Sequence, residues 1–312
     1  MDLCKAVSLE RSSYYYETSG SKRGRRPSQS VLFEGNWVSN ETLIPRIKEL
    51  LSHEFLNYGY IKITKQLNLE GYLVNKKKIY RLMKKENLLK PQRIKSSGKR
   101  NFIKFRKPQA SKPLHYFEMD IKYIYIQQER RNAYLLSVID VFSRKVVGHL
   151  FSRSIRKKHV IDLWQKLKPD LPDFKSITVR SDNGSQFIAN DVRGFFYYHG
   201  LFQEFTNVAT PEDDGHIEAF HSILQREFLD RNEYHTFNEM KDAIKRYMNC
   251  YNQERLHGSL NYQTPEKFIE EYHAKNFFEE GIDKKSIPLL EADYLGEITN
   301  LNNLNINSQL CQ

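Results

Sequence analysis

Residues 115–151 read HYFEMDIKYIYIQQERRNAYLLSVIDVFSRKVVGHLF, a segment rich in Tyr, Ile, Val and Phe and interrupted twice by short charged stretches. Alternation and β-branched or aromatic content predict three strands, over 115–126, 133–141 and 144–151, and the short breaks make them an antiparallel meander. In the first strand Phe117, Met119, Ile121 and Tyr123 take one face while Glu118, Asp120 and Lys122 take the other, because successive side chains alternate. Aspartate is disfavoured in mid-strand, so Asp120 needs either a cationic partner such as Lys122 or a chemical task.

Downstream the period changes. Helices are expected over 156–168, 185–199, 211–231 and 236–254, with strands over 176–181 and 201–206. A meander followed by alternating helices and strands implies an α/β domain, a mixed five-stranded sheet flanked by helices. Ile177-Thr178-Val179-Arg180-Ser181-Asp182-Asn183-Gly184 is a strand running into a turn, which puts Asp182 at the strand's carboxyl end, where α/β sheets present ligands. Asp-Asn-Gly is equally an ordinary turn sequence. Thr210, Pro211 and Asp213 mark a helix start, and Glu218 falls one turn inside. Ile217, Phe220, Leu224 and Phe228 form the buried stripe of that helix, with Glu218, Ser222 and Gln225 on the adjacent face.

Upstream, residues 1–38 show no sustained periodicity and carry Lys22, Arg23, Arg25 and Arg26, the pattern of a basic arm. From Asn40 the spacing of Leu43, Ile44, Ile47, Leu50 and Leu51 predicts a helix, a second follows over 61–69 and ends at Gly71, and a third starts after Asn75. Three short helices with a glycine turn before the last describe a small all-α helix-turn-helix domain over 39–95. Residues 75–107 hold fourteen Lys or Arg against the single acid Glu86, so Lys76, Lys77, Lys78, Arg81, Lys84, Lys85 and Arg93 are candidate DNA contacts. A basic linker over 96–113 then leads to the core at 114–275, and a tail of unassigned role occupies 276–312.

The bulk numbers agree with this partner. Of 312 residues, 49 are Lys or Arg and 38 Asp or Glu, a net charge of +11 that favours a polyanion, nucleic acid before an anionic membrane surface. No apolar run resembles a signal peptide or a membrane span, which places the chain in the cytoplasm. Cys4, Cys250 and Cys311 are too few and too far apart for a disulfide framework or a CxxC metal knuckle, and read as inert thiols.

Asp120, Asp182 and Glu218 fit one chemistry. Two divalent ions about 4 Å apart activate the attacking oxygen and stabilise the leaving oxygen of a phosphodiester, and an all-carboxylate cage selects Mg2+ or Mn2+. Without cations, carboxylates about 4 Å apart repel by roughly 4 kcal/mol at an effective dielectric near 20, so such a cluster calls for metal.

These residues resemble the retroviral-integrase-like DDE transposases of bacterial insertion sequences, specifically the second-frame protein of the group with two overlapping frames. The resemblance rests on Asp120-Ile121-Lys122-Tyr123-Ile124, on Val138-Ile139-Asp140-Val141-Phe142-Ser143-Arg144, on Ser181-Asp182-Asn183-Gly184-Ser185-Gln186-Phe187 and on Ile217-Glu218-Ala219-Phe220, with 35 residues between Asp182 and Glu218. It implies an RNase H-like core, a catalytic and metal-binding triad of Asp120, Asp182 and Glu218, two Mg2+ (or Mn2+) ions, and double-stranded DNA, element ends and target, as partner. It also implies a homo-oligomer that holds two ends, and a helix-turn-helix protein from an upstream frame as a possible second partner. Lys122, Asp214 and Gln225 depart from the family's usual Thr, Asn and Lys, and Arg226 is the candidate DNA contact in place of the last. Asn252, Arg255 and His257, with Thr264-Pro265, match the family's ending and are read as a helix cap and turn anchor, and Asp140 as a structural residue of the hairpin. A DNA-binding regulator with a degenerate core and a plain RNase H-type nuclease are the rival readings.

Overall fold

The structure is a computed structural model and describes residues 28–91, 110–206 and 215–279. It divides into two units, the first built from described residues 28–52 and 58–91, the second from 53–57, 110–206 and 215–279.

The first unit has the three expected helices, α1 (Leu43–Ser52), α2 (Tyr60–Leu69) and α3 (Lys76–Lys85). Leu43, Ile47, Leu50, Ile63, Leu67, Ile79 and Met83 are buried, the single stripe that each amphipathic period requires. Asn75 caps α3, its side chain accepting from the Lys78 N–H at 2.9 Å, and Gly71 at φ +94° turns the chain between α2 and α3. Arg46 on α1 holds Glu70 with two nitrogens, at 2.8 and 2.6 Å, closing the end of α2 against α1.

The unit is not all-α. Part of the stretch expected to be an arm forms a hairpin, β1 (Ser30–Phe33) and β2 (Asn36–Ser39), to which the short β3 (Tyr72–Leu73) adds in the order β2-β1-β3. Glu34 and Gly35 both have positive φ, 46° and 83°, the geometry of a two-residue hairpin loop whose twist matches its strands. Glu-Gly is a weaker hairpin signal than Asn-Gly, which is why composition alone suggested an arm.

In the second unit the meander forms as expected: β4 (Tyr116–Ile126), β5 (Arg131–Asp140) and β6 (Val146–Ser152). β7 (Thr178–Ser181) then joins β4 in parallel and β8 (Phe202–Phe205) joins β7 in parallel, giving the order β6-β5-β4-β7-β8. This mixed five-stranded sheet with helices on both faces is RNase H-like. Phe117, Met119 and Ile121 of β4 face a core shared with α4 (Lys157–Leu167), α5 (Ser185–Ile188) and α6 (Asn190–His199), where Phe117, Met119, Val160, Trp164, Phe187 and Phe196 interlock. Gly148 sits under α4 because a Cβ there would meet Leu167 Cδ1 at 2.8 Å. The even residues of β4 face α7 (Gly215–Leu224), which continues through a π-turn at Gln225–Leu229, while α8 (Phe237–Gln253) packs on β6. A last helix, α9 (Pro265–Glu279), closes the described chain.

Two expected helices are interrupted. The 185–199 stretch breaks at Ala189, whose extended ψ of 136° separates α5 from α6. The 211–231 stretch passes into the π-turn, with the Asp230 N–H donating to the Gln225 carbonyl five residues back. Its proposed start at Thr210, Pro211 and Asp213 lies outside the described residues, as does Asp214.

Asp140 has a structural environment: fully buried, it accepts from the Leu114 N–H at 3.1 Å and the Ser143 N–H at 2.8 Å, which locks the β5–β6 turn. The family-like ending does the same. Asn252 exchanges both amide hydrogen bonds with the Val146 backbone at 3.0 and 2.9 Å, and Arg255 grips Glu227 of the π-turn.

Candidate active site

Asp120 stands mid-way along β4 and Asp182 just past the end of β7, and the parallel register places Met119 opposite Ser181. Each aspartate is therefore one step beyond a paired position, on neighbouring strands that run side by side about 4.8 Å apart. The Asp120 carboxylate accepts from its neighbour's Ile121 N–H at 2.6 Å, and Asp182 from the Gly184 N–H at 2.9 Å, so the Asp-Asn-Gly turn fixes the second acid. Glu218 comes from the first turn of α7, which lies over the same face of β4.

The charge of Asp120 is felt at both of the other acids. Burial pushes the Asp182 carboxyl above its usual range, and the charge of Asp120 adds to this against the opposing Gly184 hydrogen bond. Glu218 is raised by burial, then by the charges of Asp120 and Glu118. Mutually repelling, oxygen-only donors of this kind suit a hard divalent cation, whose charge would relieve the repulsion.

Two further residues border the triad. His221, one helical turn beyond Glu218 and 9% exposed, sets its Nδ1 3.4 Å from the Asp120 carboxylate, and its buried Nε2 has no hydrogen-bond partner among the described residues. Glu118, two residues before Asp120 on the same face, is wholly buried and bonds to the start of α7. Sequence reasoning placed Glu118 on the correct face without giving it a role, and passed over His221, whose signal was the i, i+3 spacing from Glu218.

Among the described residues, the three metal-ligating side chains that converge on a single point are elsewhere: His53, Cys250 and Glu254, with ligand atoms all within 4.8 Å. Asp120, Asp182 and Glu218 do not form a group of that kind. The His53 group reads as a hydrogen bond between His53 and Glu254. His53 Nδ1 accepts from the Phe55 and Leu56 N–H groups at 3.2 and 3.3 Å, leaving Nε2 to carry the proton towards Glu254 at 3.3 Å. Burial pushes the Cys250 thiol up to about 12, which agrees with an inert thiol.

Models of known families match the same segments. The Integrase core domain matches residues 110–211, a second model of that description matches 199–265, and an HTH-like domain matches 39–96. The transposase for insertion sequence element IS904 of Lactococcus lactis subsp. lactis (strain IL1403) is 28% identical over 260 residues, covering 80% of this chain and 99% of that protein. The chain belongs to the integrase-core transposases of insertion sequences. The transposase is 24% identical over 230 residues to the transposase InsF for insertion sequence IS3A of Escherichia coli (strain K12), covering 68% of its own length and 76% of InsF. Among solved structures it is similar to the HTLV-2 integrase catalytic core domain in complex with magnesium, at a TM-score of 0.39 and 16% identity over 52% of this chain and 99% of that one. The catalytic core domain of BIV integrase aligns likewise, at a TM-score of 0.39 and 18% identity, again over 52% of this chain and 99% of that one. An integrase core implies use of a divalent metal and action on DNA. No helix of the described residues is long and apolar enough to cross a membrane.

The transposase's basic candidates divide by position. Lys76, Lys77, Arg81, Lys84 and Lys85 are exposed on α3, and the first three line a shallow cleft with Tyr60 and Tyr80. Lys78 turns inward instead: its ammonium donates to the Ser30 carbonyl and, at 2.9 Å, to Asn40 Oδ1, pinning α3 to the hairpin. Arg226 lies in the π-turn of the second unit and donates to the Ser222 carbonyl at 2.9 Å. Arg93 lies outside the described residues.

Proposed function

We propose that the chain catalyses Mg2+-dependent cleavage at the 3′ ends of its element and transfer of those ends to target DNA, with Asp120, Asp182 and Glu218 as the catalytic acids. The observation that supports this reading is geometric: the β4–β7 register sets Asp120 and Asp182 on adjacent strands, and α7, bonded to β4 through Glu118, carries Glu218 over the same face. Asp120, Asp182 and Glu218 would together hold a pair of Mg2+ (or Mn2+) ions. When bound, the pair activates the attacking oxygen and stabilises the leaving oxygen of an in-line phosphoryl transfer. The protein's share is positioning: the β4–β7 register fixes the aspartates, and α7 brings Glu218 to them. In the first step water is the nucleophile and the element's 3′-OH is freed; in the second that hydroxyl attacks a target phosphodiester and displaces a 3′ oxygen. By its family resemblance the enzyme works in the cytoplasm as at least a dimer holding two ends, with an upstream-frame helix-turn-helix protein as a partner. The test is the full chain incubated with element-end duplexes and Mg2+, resolving nicked from joined products. Joined product is expected; hydrolysis alone would make the chain a nuclease, and metal-independent retention of DNA with neither product would make it a regulator.

The exposed face of α3 supplies the cations for DNA in this reading. Replacing Lys77 or Arg81 by Ala is expected to lower the slope of log K against log salt by about 0.9 for each DNA phosphate that is no longer neutralised. Lys78→Ala should instead lower the melting temperature of the first unit and leave the slope unchanged, because its ammonium is engaged by Ser30 and Asn40. Fluorescence anisotropy across a salt series checks both.

A further inference from the structure

We propose that Glu118 is the positioning residue of the metal site, a carboxylate that touches no ion but sets the distance between Asp120 and Glu218. The inference rests on the triad reading above and extends it to a residue outside the triad.

Glu118 is 0% exposed on β4 and points to the same face as Asp120. Its Oε2 accepts from the backbone N–H of His216 at 2.9 Å and of Ile217 at 2.8 Å, and its Oε1 bonds to His216 Nδ1 at 2.8 Å. His216 and Ile217 lie in the first turn of α7, where backbone N–H groups have no partner within the helix and where the helix dipole favours an anion. The strand itself thus supplies a cap for the helix that carries the third acid. The linkage is short: Asp120 is two residues from Glu118 on β4, and Glu218 directly follows Ile217 on α7. Through this contact the strand and the helix hold two members of the triad in one geometry.

Burying a fourth carboxylate beside three others is electrostatically costly, and its charge is felt at Glu218. Two guanidinium groups offset it. Arg180 is the direct cross-strand neighbour of Glu118 on β7, and both Arg180 and Arg144 feel its charge. With both oxygens committed to His216 and Ile217, Glu118 acts as a tether rather than as a metal ligand. Residues of this kind, hydrogen-bonded to what surrounds the ligands, typically change metal affinity by about 10- to 100-fold.

The amide of a glutamine can hold the same three groups, its oxygen accepting from the two N–H groups and its nitrogen donating to the other tautomer of His216. An aspartate keeps the charge but is one methylene too short. A tether is therefore rescued by Gln and not by Asp, whereas a residue needed for its charge is rescued by Asp and not by Gln. The experiment measures Mn2+ binding to the full chain by the electron paramagnetic resonance of free Mn2+, together with kcat and KM for an element-end duplex. Variants are Glu118→Gln, Glu118→Asp, Glu118→Ala and, should Glu118→Ala fold poorly, His216→Ala, with Asp120→Asn as reference. Expected are an about 10- to 100-fold weaker Mn2+ affinity for Ala and Asp, affinity largely restored by Gln, an intermediate loss for His216→Ala, unchanged KM for DNA, and kcat that recovers with added Mn2+. Equal Mn2+ affinity in all Glu118 variants, or rescue by Asp over Gln, overturns the proposal and leaves the triad standing. Wild-type Mn2+ binding that is unaffected by Asp120→Asn overturns the triad reading, and this inference with it.

Discussion

Asp120→Asn should reduce Mg2+-dependent cleavage and joining by about 10³-fold or more, on the scale seen when a key electrostatic group is removed from a reacting centre, while the full chain still binds element-end DNA. Asparagine keeps the side chain's shape and can still accept from the Ile121 N–H, so the strand is undisturbed. What disappears is one of the negative charges proposed to hold the ions. The same charge holds Asp182 and Glu218 above their ordinary range in addition to burial, so its loss relieves repulsion between unliganded acids. In EDTA the variant should therefore melt at or above the wild-type temperature. An inactive but more stable protein separates lost chemistry from lost folding. Full strand transfer by Asp120→Asn, measured on labelled duplexes in Mg2+, would remove Asp120 from the site.

Arg255→Leu should destabilise the second unit by about 3–5 kcal/mol, the usual cost of leaving one member of a buried ion pair alone. Arg255 is 5% exposed and its partner Glu227 8%. Two parallel hydrogen bonds join them, Nε to Oε2 at 2.6 Å and a terminal nitrogen to Oε1 at 2.8 Å, a planar fork that lysine cannot reproduce. Glu227 belongs to the π-turn after α7, so the pair ties the end of the helix bearing Glu218 to the chain just after α8. Urea denaturation should show the loss for Arg255→Leu and nearly as large a loss for Arg255→Lys. The double variant Glu227→Leu with Arg255→Leu should recover much of it, because no uncompensated charge is left behind. Additive losses in the double variant would show that the pair is not coupled.

The core was legible in the sequence because its signals were redundant. The meander announced itself through period-2 alternation and short charged breaks, and the faces of β4 followed from alternation alone. The small sheet of the first unit was not legible, since β1 and β2 are four residues each, β3 has two, and Glu34-Gly35 lacks the usual hairpin dipeptide. Local breaks such as Ala189 and the π-turn depend on packing that no periodicity encodes. The positions of the three acids could be read from local motif and spacing. Glu118 and His221 could not be weighted in the same way, because a buried glutamate takes its meaning only from the helix that lands on it, and that helix is about a hundred residues away along the chain.

The mixed sheet also orders events in time. β4, β5 and β6 pair with immediate neighbours, whereas β7 must return across about sixty positions to lie beside β4, a closure that is slow relative to hairpin formation. Asp120 is thus seated early, and its two companions arrive with the last, most distant pairings. Under the triad reading, a chain still emerging from the ribosome would hold Asp120 in a finished hairpin before Asp182 and Glu218 could join it.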